Sequence, residues 1–193
     1  GMRPVHDAAE LNDAFEICRT EAQSAFGDGR LYVEQLLPHA RHIEVQIAGD
    51  GSGAVCHFGD RDCSIQRRHQ KIVEIAPAPK LSDDLRRRLS DDALNLARAA
   101  QYKNIGTIEF LVQGDAYFFI EANARLQVEH TVTEAVTGED LVNLQFALAA
   151  GATLAELGLA DGAAAPRGYA IQVRVNMESI NSDGDIRPSG GRL

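Results

Sequence analysis

The strongest structural signal in the sequence is IGTIEFLVQGDAYFFIEANAR, residues 105–125. Apolar and polar residues alternate on both sides of a central Gly114-Asp115 pair. This pattern predicts a β-hairpin with strands over residues 105–112 and 117–125. One face of the predicted pair is apolar. The opposite face carries two glutamates, an asparagine and an arginine: Glu109, Glu121, Asn123 and Arg125.

The polar face of this hairpin is a candidate metal site. The alternation continues to His130, so we expect the second strand to persist and to add Gln127 and Glu129 to the same face. Solvent exposure is the ordinary interpretation of a polar strand face, but the succession of acid, amide and base is less typical of it. Two carboxylates beside an amide oxygen suit a hard cation such as Mg²⁺, with phosphate oxygens completing the shell.

The register of the hairpin determines whether these carboxylates can meet. A two-residue turn and a regular ladder would set Glu109 opposite Ile120, which places Glu109 and Glu121 on opposite faces. We therefore expect either an odd-length loop near Asp115 or a β-bulge that restores the parity. The apolar residues expected to share the other face are Ile108, Phe110, Phe118 and Ile120.

The remaining segments predict an α+β fold, because hairpins and helices occur in mixed order. Apolar periodicity and capping residues predict helices over about 7–27, 82–101 and 139–150. Short strands are predicted over 31–37, 43–47, 54–58 and 169–175. In the second of these strands, isoleucine and valine alternate with Glu44 and Gln46, which predicts a half-buried strand. Residues 60–71 are expected to be polar and irregular.

Composition excludes several classes of protein. The 193 residues carry a net charge of −9, and such an acidic chain would repel nucleic acid and anionic membranes. No run approaches 18 apolar residues, so we expect no membrane span. The three cysteines form no C-x-x-C pair, and their scatter fits a reduced, cytoplasmic compartment.

A local cationic cluster lies within this acidic chain, over residues 61–71. A run of basic residues is most often a solvated face. In an acidic protein, however, such a cluster is better suited to a small anion, to which arginine offers bidentate geometry and lysine a point charge. Cys63 lies beside the cluster without an evident base partner, and we interpret it as structural.

Two long motifs carry a family resemblance. RDCS, residues 61–64, with QRRHQK, residues 66–71, resembles the biotin carboxylase signature, and so does FIEANARLQVEH, residues 119–130. The resemblance covers essentially the whole chain. It implies an ATP-grasp fold whose C-terminal lobe is an antiparallel sheet flanked by helices. Three parts are implied: a truncated end of the glycine-loop lobe (1–30), the catalytic lobe (31–160) and the truncated start of the biotin carboxylase C-terminal domain (161–193).

The resemblance also implies an activity. Biotin carboxylases use ATP to activate bicarbonate as carboxyphosphate, then transfer the carboxyl group to a ureido nitrogen of biotin. The implied cofactors and substrates are ATP, Mg²⁺ or Mn²⁺, bicarbonate and carrier-bound biotin. The implied partners are the biotin carboxyl carrier and the carboxyltransferase, and a homo-oligomer is implied for the complete enzyme.

Site residues follow from the resemblance position by position. For ATP the matching positions are Glu34, Gln35, Leu37, His42, Gln66 and His69. For the metal they are Glu109, Glu121 and Asn123. For bicarbonate they are Lys71, Arg125, Gln127 and Val128. The catalytic set is Glu129, Arg125, Lys71 and Arg174, in which Glu129 matches the base that deprotonates bicarbonate and Arg174 matches the arginine that stabilises the biotin oxyanion.

Departures and alternatives accompany this interpretation. Thr131 replaces a common proline, which suggests a divergent acyl-CoA or multifunctional carboxylase branch. A glycine-rich loop is not found in these 193 residues, so we expect the isolated chain to be inactive. The alternatives are another ATP-grasp ligase, of carbamoyl-phosphate synthetase type, and a non-catalytic nucleotide-binding module. The final acyl acceptor is not encoded in these motifs.

Overall fold

The computed structural model describes residues 2–67, 69–160, 162–182 and 186–190. Arg68 of the cationic segment and parts of the predicted last domain therefore lie outside the described residues. The chain divides into two compact units, Gly1–Pro38 and His39–Leu193. This division does not test the predicted domain boundaries at residues 30 and 160, which stay predictions.

The first unit contains one helix, α1, Leu11–Phe26. The predicted capping arrangement forms ahead of it: the Asp7 carboxylate accepts from the backbone N–H of Glu10, and the Glu10 carboxylate accepts from that of His6. Gly27 ends the helix in the left-handed conformation, as predicted. The strand predicted over 31–37 is wrong, because residues 31–37 join no sheet of the structure.

The second unit is built around one antiparallel sheet. Its elements are β1 (Arg41–Asp50), β2 (Val55–Arg67), β3 (Gln70–Ala76), α2 (Asp83–Ala99), β4 (Lys103–Gln113), β5 (Ala116–Asn123), α3 (His130–Thr137), α4 (Leu141–Ala149), β6 (Ala170–Val173), β7 (Glu178–Ile180) and β8 (Ile186–Pro188). The strand order is β5-β4-β1-β2-β3-β6, and β7 pairs with β8 in a separate two-stranded sheet. The predicted α+β class is confirmed.

Strand β1 lies at the centre of this sheet and is buried on both faces. Ile43, Val45 and Ile47 pack on the face covered by α2. Glu44 and Gln46 on the other face are also fully buried. The prediction of a half-buried strand is therefore wrong, because alternation shows that two faces differ but not that one of them meets water.

The segment after β1 is more regular than expected. Strand β2 continues to Arg67 and β3 begins at Gln70, so the prediction of an irregular stretch over 60–71 is wrong. The backbone of this segment pairs within the sheet, and its side chains range from the fully buried Arg61 to the exposed Ser64 and Gln66. A tight turn joins the two strands, with His69 at φ +65°.

The β4–β5 hairpin has a two-residue turn and a bulge. Gln113 pairs with Ala116, the register shifts after Phe110, and Glu109 then pairs directly with Glu121. The predicted bulge is confirmed, while the alternative of an odd-length loop is wrong. Ile120 is the extra residue. It follows that Phe119, and not Phe118, shares the face of Phe110, and the two rings form an edge-to-face contact at 6.4 Å.

Side-chain caps mark the start of two helices of the second unit, and the cap at Ser82 is the one that the sequence predicts. The Ser82 side chain accepts from Leu85 N at 3.2 Å at the start of α2, and Asp140 caps α4. The predicted continuation of β5 to His130 is wrong, because β5 ends at Asn123 and a new helix, α3, begins at His130. Among the described residues, no helix combines the length and the apolar composition needed to cross a membrane.

Candidate active site

Strands β1, β2 and β4 bring buried polar side chains to one face of the sheet. Glu44 pairs across the ladders with Glu109 on one side and with Arg61 on the other. Directly paired residues project to the same side, so the three side chains share a face. Arg61 is completely buried. Its guanidinium is surrounded by hydrogen-bond acceptors from Glu44, Gln46, Thr107, Gln127 and Thr133.

Lys71 is the centre of this ionic face. Its Nζ donates to Glu44 at 2.6 Å, to Glu129 at 2.8 Å and to Glu109 at 2.9 Å. A second bulge makes this possible, because Ile72 is the extra residue between the Lys71 and Val73 pairings with β2. Burial disfavours the charged ammonium, but the surrounding carboxylates outweigh it and raise the Lys71 pKa, so the group stays protonated.

Glu129 lies between two cations at the start of α3. Its two carboxylate oxygens accept from Lys71 Nζ at 2.8 Å and from Arg174 Nη2 at 2.7 Å. Burial of this carboxyl raises its pKa, but the hydrogen bond and charge of Lys71 outweigh that effect and the net pKa is lowered. Glu129 is therefore ionised in this arrangement, as a proton acceptor must be.

Glu109 connects the ionic face to the hairpin. Burial acts to raise its pKa, but His42, at 2.5 Å, and Lys71 lower it strongly. The Asn123 amide donates to Glu109 at 3.0 Å and to Glu121 at 2.9 Å, so both carboxylates converge on one donor. Two carboxylates and an amide form an all-oxygen donor set of the kind that fits Mg²⁺.

A second group of possible metal-binding donors lies in the same face. His42, Glu44 and Glu109 each offer a donor atom, and these atoms lie within 4.8 Å of one another. The Lys71 ammonium already contacts both carboxylates of this group, Glu44 and Glu109. A resident positive charge therefore already compensates this second group.

The structure brings together several of the residues that the resemblance implies. Those in or bordering the ionic face are His42, Gln66, Lys71, Glu109, Glu121, Asn123, Gln127, Glu129 and Arg174. His42 and Gln66 are directly hydrogen-bonded at 2.8 Å.

Other implied residues lie apart from this network. Arg125 is exposed, and its guanidinium donates hydrogen bonds to its neighbours Leu126 and Asn123. Val128 is exposed, and His69 lies in the exposed β2–β3 turn. The three adenine positions, Glu34, Gln35 and Leu37, belong to the first compact unit.

Four buried residues of the site were not identified from the sequence: Glu44, Gln46, Arg61 and Glu74. Glu44 and Gln46 were interpreted as the solvated side of a strand. Arg61 belongs to the cationic run and to the RDCS part of the signature, neither of which assigns it a role in the site. No local signal distinguishes Glu44 and Gln46 from a solvated strand face, because the alternation does not encode which strands surround β1. Cys63 is fully buried, and burial raises its pKa, which fits a structural thiol.

The family described as "Carbamoyl-phosphate synthase L chain, ATP binding domain" matches residues 1–157. The chain belongs to this family. Among curated relatives, a pyruvate carboxylase from Aspergillus niger is 55% identical over an alignment of 194 positions, which covers 100% of this chain and 16% of the relative. The chain thus spans less than one fifth of that relative's length.

Solved structures place the chain more narrowly within the carbamoyl-phosphate synthase ATP-binding family. A biotin carboxylase–β,γ-ATP complex from Campylobacter jejuni matches with a TM-score of 0.87 and 41% identity, over 94% of this chain and 40% of that one. The biotin carboxylase domain dimer of a Hydrogenobacter thermophilus 2-oxoglutarate carboxylase, with MgADP and bicarbonate, matches with a TM-score of 0.82 and 40% identity, over 91% and 38%. The resemblance to biotin carboxylases and the predicted ATP-grasp fold are confirmed.

Proposed function

We propose that the protein carrying this chain is an ATP-dependent biotin carboxylase. It activates bicarbonate as carboxyphosphate and transfers the carboxyl group to biotin. The observation that carries the proposal is the contact network of Lys71, Glu129 and Arg174 on the buried face of the sheet. The network unites two cations for anionic substrates with an ionised carboxylate that can accept a proton.

Bicarbonate is proposed to bind at Lys71, Arg125, Gln127 and Val128, with Glu129 as its base. Lys71 and Arg174 both pair with Glu129, and the hydrogen bond and charge of Lys71 keep the pKa of that carboxyl low despite its burial. An anion that draws these cations toward itself weakens their hold on Glu129. The basicity of Glu129 then rises at the moment when bicarbonate must lose its proton.

Glu109, Glu121 and Asn123 are the proposed ligands of Mg²⁺ or Mn²⁺. Their oxygen donors fit a hard cation, and Glu109 and Glu121 are held opposite each other by the register of the hairpin. A bound divalent ion would neutralise charge on the phosphates of ATP. The proposed nucleotide positions are Glu34, Gln35, Leu37, His42, Gln66 and His69.

Arg174 is proposed to stabilise the oxyanion that develops on biotin. The remaining partners are a biotin carboxyl carrier and a carboxyltransferase, and the complete protein is proposed to form a homo-oligomer. Pyruvate is the first acceptor to test, because the relative from Aspergillus niger is a pyruvate carboxylase. Acyl-CoA acceptors and a cytoplasmic location stay predictions from sequence.

The test compares Glu129→Gln with wild type in the intact protein, through bicarbonate-dependent ATP hydrolysis and carboxybiotin formation. The amide is close in shape to the carboxylate but cannot take the proton, so turnover should fall roughly 10²–10⁴-fold while ATP binding persists. Asp92→Asn, on α2, is a control that replaces a half-buried acid elsewhere and should leave turnover unchanged.

Two results would contradict the proposal at different levels. Wild-type-like turnover of Glu129→Gln at saturating bicarbonate would remove Glu129 from the role of base. A wild-type protein that forms carbamoyl phosphate from ammonia, and no carboxybiotin, would overturn the biotin carboxylase assignment in favour of the other ligase type.

A further inference from the structure

Glu74 on β3 is a fully buried carboxylate to which the proposed reaction gives no role. Its Oε1 accepts from Arg174 Nε at 2.8 Å. Its Oε2 is buried without a hydrogen-bond partner among the described residues. Burying a carboxylate with one unpartnered oxygen costs free energy of folding. A contribution to stability alone therefore does not explain a glutamate at this position.

Glu74 and Glu129 hold two different edges of one guanidinium. The Glu74 carboxylate accepts a hydrogen bond from Nε of Arg174, and the Glu129 carboxylate accepts one from Nη2 at 2.7 Å. Because the guanidinium is planar, two such contacts determine both its position and the orientation of its plane. Nη1 has no hydrogen-bond partner in the part of the chain that the structure describes, and the side chain remains 23% exposed. A free donor group is therefore available to a ligand.

The backbone around Arg174 gives it little support of its own. β6 is a four-residue edge strand that ends at Val173, so Arg174 lies just beyond it. One further backbone hydrogen bond continues the pairing, from Arg174 N to Ile72 O at 2.8 Å. Side-chain contacts must therefore supply much of the positioning of the guanidinium.

Glu74 and Glu129 have different roles in the proposed reaction. Glu129 is proposed to take up the proton of bicarbonate, and its attraction for Arg174 weakens while it is neutral. Glu74 takes no part in that proton transfer. Glu74 can therefore keep its hydrogen bond with Nε of Arg174 throughout the catalytic cycle, including the stage at which the contact between Glu129 and Arg174 is lost.

We propose that Glu74 is a positioning residue for Arg174, which it holds so that the free guanidinium donors meet the ureido oxygen of biotin. This inference rests on the proposed function. Negative charge develops on that oxygen as the ureido nitrogen loses its proton. A donor fixed in advance stabilises this charge without further reorganisation of the site.

The experiment uses Glu74→Gln and Glu74→Ala in the intact protein, with Asp92→Asn as the matched control. The amide of Gln keeps an acceptor for Nε, whereas Ala removes it. We expect kcat for carboxybiotin formation to fall about 10-fold for Gln and about 100-fold for Ala. The KM for ATP and the bicarbonate-dependent ATP hydrolysis without biotin should stay at wild-type values, so less carboxybiotin forms for each ATP consumed.

The outcomes separate this inference from the proposed function. A wild-type protein without bicarbonate-dependent ATP hydrolysis or carboxybiotin would overturn the proposed function itself. With an active wild type, unchanged carboxylation by Glu74→Ala would overturn the positioning role. Equal losses of biotin-free ATP hydrolysis and carboxylation, with a lowered melting temperature, would overturn it in favour of a structural role.

Discussion

At its central strand the six-stranded sheet is buried on both faces, yet the two faces are built from opposite chemistry. Strand β1 shows this within five residues: Ile43, Val45 and Ile47 pack under α2, while Glu44 and Gln46 lie on the other side. The second face is apolar in two places, where Leu144 of α4 packs with Ala48 and where Val132 and Val136 of α3 pack with Ala76. Elsewhere it carries the ionic network.

The comparison separates what stabilises the fold from what the site requires. Apolar burial contributes roughly 25 cal/mol per Å² without directional demands, so the α2 face depends on volume and packing. Buried ion pairs gain little net stability, because desolvation offsets their attraction. The ionic face therefore contributes little to stability for its size, and its composition is better explained by chemistry on anionic substrates.

The largest effect is expected where the ionic face loses its fully buried arginine. Arg61→Met leaves the buried Glu44 with Lys71 as its remaining cation and removes donors from several polar neighbours. Breaking such a pair should lower the free energy of unfolding by about 3–5 kcal/mol, measured by urea denaturation. The exposed Arg98→Met is the control and should change it by less than about 0.5 kcal/mol. A loss below 1 kcal/mol for Arg61→Met would show that the ionic face relaxes or admits water.

A similar or somewhat smaller loss in the free energy of unfolding is expected from a cavity on the apolar face. Leu89 of α2 is fully buried in the core against β1 and β4, so Leu89→Ala should cost about 2–5 kcal/mol. Leu96→Ala, on the same helix but 41% exposed, should cost much less. Activity per folded molecule should be unchanged in both variants, because neither touches the ionic face. Loss of turnover in folded Leu89→Ala protein would show that the two faces are coupled.

The smallest effect is expected at the anchoring of α2. Ser82→Ala removes the acceptor of Leu85 N and should lower the free energy of unfolding by about 1 kcal/mol. Ser82→Asp keeps a capping oxygen and should retain wild-type stability. Both values are read from the denaturation midpoint at constant slope. If Ala and Asp behave alike, the cap does not anchor the helix on the apolar face.

Local chemistry made part of the fold predictable. Ser82 and Gly27 mark helix ends because a side-chain oxygen, or the absence of a side chain, acts on neighbouring backbone groups, whereas α1 begins at Leu11, later than the spacing of Asp7 and Glu10 predicts. The hairpin turn at Gly114-Asp115 and the need for a bulge follow from a side-chain period of two. The signature around residues 61–71 and 119–130 identified the family, and with it most of the candidate site residues.

Contacts between residues far apart in the sequence determined the rest of the fold and of the candidate site. Alternation in β1 could not show that Glu44 and Gln46 are buried, because the strand order that surrounds β1 is not encoded locally. Lys71 lies on the ionic face only because Ile72 is an extra residue in β3. The bulge at Ile72 could not be predicted from the sequence of β3, because it is defined by the pairing of β3 with β2. The strand predicted to carry Glu129 gives way to the loop before α3.

The sequence by itself therefore determined the local elements, the family and the residue types of the site, since each depends on contacts close along the chain. The tertiary structure alone decided which polar residues are buried together. Glu74 and Arg174 are 100 positions apart and meet only because β6 joins the edge of the sheet beside β3. Contacts of that separation depend on the order of strands, which no local pattern of side chains specifies.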